Sequence, residues 1–211
     1  WVDKAYGFER RKTISQAGGF SADAYRELAD MGLCGLYVSE EHGGMGMGPV
    51  EGMIVMEELG RGLVLEPVAQ ALIAGAVLQA FAPPAIAEAW LPGIAGGARI
   101  VVLACQERAA RYRLDQCTTT ATSTPGGWTL RGAKSVVGLG DTADALLVPA
   151  MADGQMALFL VARDAAGVST RGYATIDGGR AAEVGLEQAA ATLITRQGQQ
   201  ALDYAVDVGI A

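Results

Sequence analysis

At Arg99 the hydrophobic pattern of the chain changes period, and this one switch limits the folds open to it. Before it, apolar residues recur at helical spacing; after it come short β-branched runs separated by Gly and Pro turns. Ser21 is placed to cap a helix over Ala22 to Met31, with Tyr25, Leu28 and Ala29 as its apolar stripe and Gly32 as its stop. Leu33 to Val38 is too short and too apolar for a surface helix. It predicts a buried extended link that leads into the turn-rich segment Gly43 to Gly48. Pro49 suits a first helical position, and the helix it opens runs to about Gly60 with Val50, Met53, Ile54 and Met56 on its inward side. Pro67 to Ala82 is apolar almost all round, the mark of a helix enclosed by others. A shorter helix follows Pro83-Pro84 and closes near Trp90-Leu91, where Pro92-Gly93 is expected to end it.

Beyond Arg99, strands are predicted over Ile100 to Cys105, Thr118 to Thr124, Trp128 to Arg131, Ser135 to Val137, Ala145 to Val148, Met156 to Val161 and Ala181 to Leu186. After Gln197-Gly198 a helix resumes, with Leu202, Ala205, Val206 and Gly209 on one stripe. A helical half followed by a strand half indicates an α+β layout. The division expected is an N-terminal all-helical domain over residues 1–98, a β-barrel or sandwich domain over 99–194, and the start of a C-terminal helical bundle over 195–211.

A net charge of −7 and a pI near 4.7 argue against a nucleic-acid partner, which needs a clustered cationic face. No membrane span is expected: Gln70, Gln79, Pro83, Pro84 and Glu88 interrupt the apolar stretch Val68 to Trp90. Cys34, Cys105 and Cys117 form neither a C-x-x-C pair nor zinc-ligand spacing, so no metal is expected and a reducing, cytoplasmic setting is the simpler reading. His42 reads as a solvated loop residue. The chain contains no Ser-His-Asp set, P-loop or strand-to-helix G-x-G-x-x-G turn. Gly43-Gly44-Met45-Gly46 lacks the Lys-Ser/Thr ending of a phosphate loop and reads as tight turns. Glu57 and Glu58 lie at helical spacing from Arg61, which predicts solvated ion pairs.

Two segments stand out. Leu103-Ala104-Cys105-Gln106-Glu107 leads into Arg108, Arg111, Tyr112 and Arg113, three cations within six residues of a mostly acidic chain. Lys134-Ser135-Val136-Val137-Gly138 is a strand ending in a Gly turn. For the arginines two readings stay open: contacts to a phosphate or carboxylate, which guanidinium makes bidentately, or ordinary surface ion pairs with Glu107 and Asp115.

Four stretches, in order and spacing, resemble the acyl-CoA dehydrogenase family: Met31 to Gly46, Glu57-Glu58-Leu59-Gly60-Arg61, Trp90-Leu91-Pro92-Gly93, and Gly132-Ala133-Lys134 followed by Val136-Val137-Gly138. The resemblance runs over essentially the whole chain and is nearest to the branch typified by the small subunit of pimeloyl-CoA dehydrogenase. It implies an FAD-dependent oxidoreductase of fatty acid metabolism that removes the α-proton of an acyl-CoA thioester while the β-hydrogen passes as hydride to the flavin. Electron-transfer flavoprotein would be the electron acceptor, and a homo- or hetero-oligomer the assembly. It also implies that a first helix and most of a C-terminal bundle lie outside the sequence, both of whose ends look cut; the catalytic base, a Glu of that bundle, stays unassigned.

Carried over residue by residue, the resemblance places the flavin against Leu103, Cys105, Gln106, Arg111, Tyr112, Val136, Val137 and Gly138, with Tyr112 also meeting substrate. The family pattern Thr-Glu-Pro-x-x-Gly-Ser-Asp is altered here. Gln106 stands for the Thr, Glu107 is kept, Arg108 stands for Pro, and Arg111-Tyr112-Arg113 stand for Gly-Ser-Asp. Val136 stands for an aromatic residue and Gly138 for Thr or Ser. These departures keep two other functions open: a non-catalytic structural subunit of a heteromer, and a flavin oxidase or monooxygenase on the same scaffold.

Overall fold

The computed structural model describes residues 1–210. Helices α1 (Val2–Ala5), α2 (Phe8–Gln16), α3 (Ala22–Asp30), α4 (Pro49–Arg61), α5 (Val68–Phe81) and α6 (Pro84–Ala95) precede the strands, and α7 (Gly198–Ile210) follows them. Ser21 caps α3 as its sequence position requires, its Oγ accepting from Ala24 N at 3.2 Å. Helix α5 is buried on nearly every side and packs on α6, α7 and the first strand.

Strands β1 (Val101–Leu103), β2 (Thr120–Thr124), β3 (Gly127–Gly138), β4 (Ala145–Ala152), β5 (Gln155–Ala162), β6 (Val168–Ala174) and β7 (Arg180–Thr195) build one sheet among the described residues. The pairing β4-β2-β3-β7-β5 returns to β4 and so closes a barrel, with β1 added in parallel on β4 and β6 on β7. β4 is buried on both faces, which its continuous apolar run foreshadows. Leu147, Leu158 and Leu160 meet Val77, Leu91 and Ile94 of the helices. Alternate residues Leu146, Val148, Phe159 and Val161 fill the barrel with Leu130 and Val137. The expected α+β order, helices then barrel then helix, is therefore present.

Four local expectations are corrected. Leu33 to Val38 is not extended: a 3₁₀ turn spans Leu33–Gly35 after Gly32 at φ +82°. The Gly-rich loop then folds back, Met45, Gly46 and Met47 donating to the carbonyls of Gly35, Val38 and Leu36, so the segment needs no strand partner. Val50, Met53 and Ile54 are 61%, 50% and 55% exposed, and Gly52 and Leu59 are the buried residues of α4. Tyr37 packs so close to Gly52 that this side of the helix, not the larger apolar one, faces inward. Helix α6 runs through Pro92 to Ala95 because Pro92 and Glu88, four residues earlier, both face solvent, where water can take the orphaned carbonyl. Finally, the two strands predicted between Trp128 and Val137 are one, β3, and the polar edge strand β6 was not foreseen.

Candidate functional site

Strand β1 ends beneath α5, where Gln70 Oε1 accepts from Leu103 N at 3.0 Å. Past this tie the chain leaves the sheet, and Glu107 turns inward with only 2% of its surface exposed. Its Oε1 takes the Lys134 ammonium at 2.7 Å and Thr119 N and Oγ1 at 3.1 and 2.7 Å, while Oε2 takes Thr118 N at 2.7 Å. Lys134, fully buried, also donates to the Pro149 carbonyl at 2.8 Å. Burial alone would raise the Glu107 carboxyl, but the Lys134 ammonium and the threonine donors outweigh it and hold the group well below the usual carboxylate range. The expected surface pairing of Glu107 with the arginines is thus corrected: a buried lysine claims it. The one signal in the sequence was Lys134 itself, a lone cation in a run that otherwise reads as buried strand.

This pair anchors two surface features. The Glu107 carbonyl accepts from both Ala110 N and Arg111 N at 3.1 Å, curling residues 107–113 into a tight loop in which Arg111 sits at φ +52°. Next to Lys134 the β3–β7 register slips between Lys134 and Val137, so Ser135 and Val136 bulge from the ladder. Ser135 N donates to the Gln106 carbonyl at 2.9 Å, which joins bulge to loop, and Val136 stands at φ +53° with 56% exposure.

The structure brings Gln106, Arg111, Tyr112 and Val136 together along one open cleft of about 430 Å³, with Arg108 and Ser135. Val136 and Gly138 also line a second cleft of about 340 Å³ under the start of α5. Val136 is the ridge between the two. Leu103, Cys105 and Val137 line neither; the Val137 side chain is in the barrel core, and Leu103 packs on the helix-sheet core. Arg113 pairs with Asp115 at 2.7 Å, as one reading of the arginines expected, and Arg108 lies 3.4 Å from Glu183. Burial would raise Glu183, yet Ser135 and Arg108 bring it below its ordinary value. Tyr112 is 95% exposed and stands with Arg111 at an open cleft, which the Arg-Tyr-Arg segment does not seal.

What the arrangement can do is hold a ligand, not attack one. Burial pushes the Cys105 and Cys117 thiols up, so neither is a ready thiolate. Among the described residues no group of His, Cys, Asp and Glu could hold a metal ion, and no helix is long and apolar enough to cross a membrane. Glu58 is tied to Arg61 at 2.7 Å, which Asp3 shares at 2.8 Å. His42 is partly exposed, with Nδ1 3.0 Å from Ser39 Oγ.

A helical layer on a closed, bulged barrel whose open edge carries cations defines a ligand-binding α+β scaffold. Residues 7–98 match the family model described as acyl-CoA dehydrogenase, N-terminal domain, and residues 103–188 the one described as acyl-CoA dehydrogenase, middle domain. The chain belongs to the acyl-CoA dehydrogenase family. It is 33% identical over 177 residues to acyl-CoA dehydrogenase FadE12 of Mycobacterium tuberculosis, an alignment covering 80% of this chain and 45% of that protein. Among solved structures it resembles a variant of the steroid ACAD Tcur3481-Tcur3483 (TM-score 0.90, 28% identity, 99% of this chain and 56% of that one). It also resembles the ChsE4-ChsE5 complex of Mycobacterium tuberculosis (TM-score 0.85, 29% identity, 98% and 56%). The chain thus spans about half the length of the relatives it matches.

Proposed function

We propose that this chain supplies the flavin-facing side of an FAD-dependent oxidoreductase that dehydrogenates an acyl-CoA thioester at its α and β carbons. The observation that carries the reading is the exposed bulge at Ser135-Val136, set against the cationic loop of Gln106 to Arg113 on a family-matched barrel. A flavin fits these residues through backbone and charge. Val136 and Gly138 offer an accessible apolar and backbone edge for the ring system, Gln106 an exposed carboxamide, and Arg111 and Arg108 cations for phosphate. Leu103, Cys105 and Val137 support that edge from behind, and Tyr112 stands exposed where substrate would approach. The flavin, when bound, supplies the hydride acceptor; the protein positions the chain and keeps the ring in place.

The domain limits 1–98, 99–194 and 195–211, the electron-transfer flavoprotein acceptor, an oligomeric assembly and a cytoplasmic setting belong to the same proposal. So does the nearer affinity to the pimeloyl-CoA type: exposed Arg108 and Arg111 suit the distal carboxylate of a dicarboxylyl-CoA. The test is the absorbance spectrum of the full-length protein with and without acyl-CoA. A bound flavin that bleaches on addition supports the reading. A colourless protein that takes up no added FAD refutes it and favours a structural subunit of a heteromer. Val136 in place of an aromatic residue and Gly138 in place of a hydroxyl speak for that second reading.

A further inference from the structure

Gln70 uses only half of its hydrogen-bonding capacity inside the protein. It stands in the first turn of α5, on the wall of the second cleft, and its Oε1 accepts from Leu103 N at 3.0 Å. That tie occupies the acceptor end of the carboxamide, and so fixes which end is oxygen and where the other end points. The N–H donors of Nε2 have no acceptor among the described residues, and the nitrogen is not sealed from solvent. It is aimed at Gly138: a methyl group there would lie 4.0 Å from Gln70 Nε2 and would meet no other group as near outside its chain neighbours. The donor therefore looks onto bare backbone, at the border that Gly138 shares with Val136.

The other polar side chains of this cleft are engaged elsewhere. Asp177 accepts from Thr175 Oγ1 and from Gly179 N at 3.0 Å, and Arg180 is held by Asp141 at 2.8 Å. Both carboxyl oxygens of Glu66 are buried and give the cleft no polar surface. Val64, Pro67 and Leu139 leave much of the remaining wall apolar. A mostly apolar cleft with one pinned and unspent side-chain donor suits a ligand that is largely hydrophobic and carries an acceptor atom at its edge. The flavin ring has that character: a flat, largely apolar tricycle with carbonyl oxygens and imine nitrogens along one end.

We propose that Gln70 is a further cofactor-binding residue: its Nε2 donates a hydrogen bond to a carbonyl oxygen or imine nitrogen of the flavin ring that lies against Val136 and Gly138. This rests on the flavin-binding reading above. It adds a residue of the helical layer to a site otherwise built from the barrel, and it gives the Leu103 tie a purpose beyond packing, since a carboxamide held at its oxygen presents its donor in one direction.

FAD and riboflavin are titrated into the full-length protein stripped of flavin, at pH 8 where a glutamate is ionised, and Kd is read from flavin fluorescence. Gln70→Glu keeps an oxygen for Leu103 N and removes the donor, whereas Gln70→Met removes both. Losing one neutral hydrogen bond weakens binding about fivefold, and both flavins lose about that factor in both variants, because they share the ring. The Raman bands of the ring C=O and C=N groups in the bound flavin also shift between wild type and either variant. Full affinity and unshifted bands in Gln70→Glu, with loss confined to Gln70→Met, assign the residue to the Leu103 tie alone and overturn the inference. A loss for FAD without one for riboflavin overturns it too, since the contact then lies on the phosphate side. Either result leaves the proposed function standing if acyl-CoA still bleaches the flavin. A wild type that binds neither flavin overturns that function and this inference with it. Should Gln70→Met not fold, Gln70→Glu, which keeps the tie, decides the matter.

Discussion

Replacing Lys134 with Met removes the cation from a carboxylate that has almost no access to water, and the structure sets limits on the cost. Glu107 would keep the donors of Thr118 and Thr119, but no counter-charge. A carboxylate in that position escapes by taking up a proton, so its penalty at pH 7 is capped at about 4 kcal/mol, the work of protonating a group of ordinary pKa. The converse change, Glu107→Gln, leaves the ammonium with neutral acceptors only, the new carboxamide oxygen, the Pro149 carbonyl and the Cys117 sulfur, and its cap is about 5 kcal/mol, because lysine must be deprotonated from further away. The expected outcome is asymmetric: Glu107→Gln costs more than Lys134→Met at neutral pH, and Glu107→Leu with Lys134→Met costs less than the larger of the two single changes.

The pH dependence follows with its sign. The native carboxyl of Glu107 is held low, so its contribution is complete above the ordinary carboxylate pKa and is lost as pH falls below it. In Lys134→Met the same carboxyl is raised, and its penalty shrinks toward acid. The gap between wild type and Lys134→Met in urea denaturation therefore narrows from pH 7 to pH 4. Single substitutions costing under about 1 kcal/mol with a gap that does not change with pH would refute the reasoning, since that is how a solvent-screened surface pair behaves.

Three further outcomes are expected. Val136→Trp places an aromatic face at the ridge between the two clefts and replaces a β-branched residue at positive φ; FAD binding, followed by flavin fluorescence, tightens about fivefold. Arg111→Gly relaxes the left-handed loop residue and stabilises the fold by up to about 1 kcal/mol in thermal denaturation, while FAD or acyl-CoA binding weakens and loses part of its salt dependence. Gly44→Ala would set a methyl 2.1 Å from the Val38 carbonyl oxygen, and denaturant titration shows a loss of about 2–3 kcal/mol.

Much of the architecture was legible in the sequence because burial and periodicity coincide there. Helix α5 is enclosed, and its composition says so; β4 is buried on both faces and reads as an unbroken apolar run. Periodicity reports which residues share a face, not what covers it. Val50, Met53 and Ile54 form a sound apolar stripe that the structure leaves exposed, because Gly52 lets Tyr37 approach the opposite side. Strand β6 fails the test in the other direction, since an edge strand with exposed Ser169, Thr170 and Arg171 carries no apolar alternation.

The site was harder to read because its shape is set by register and backbone conformation, which single residues do not encode. Whether Val136 points out or in depends on the slip against β7, and nothing in Lys134 to Gly138 alone specifies that slip. Of the six non-glycine residues at positive φ among the described residues, Arg111, Val136 and Leu139 lie on the two clefts or at their border. A side chain larger than glycine in that conformation costs on the order of 1–2 kcal/mol, so the surrounding contacts must hold it. At Arg111 they are visible: the Glu107 carbonyl fixes the loop, and the buried Glu107–Lys134 pair fixes Glu107. The loop therefore holds a cation in the backbone form that a glycine adopts freely. That combination separates the backbone shape of the cleft edge from the side chains that line it: the buried Glu107–Lys134 pair carries the geometry, and the exposed Arg111 and Val136 line the cleft without being needed to hold it.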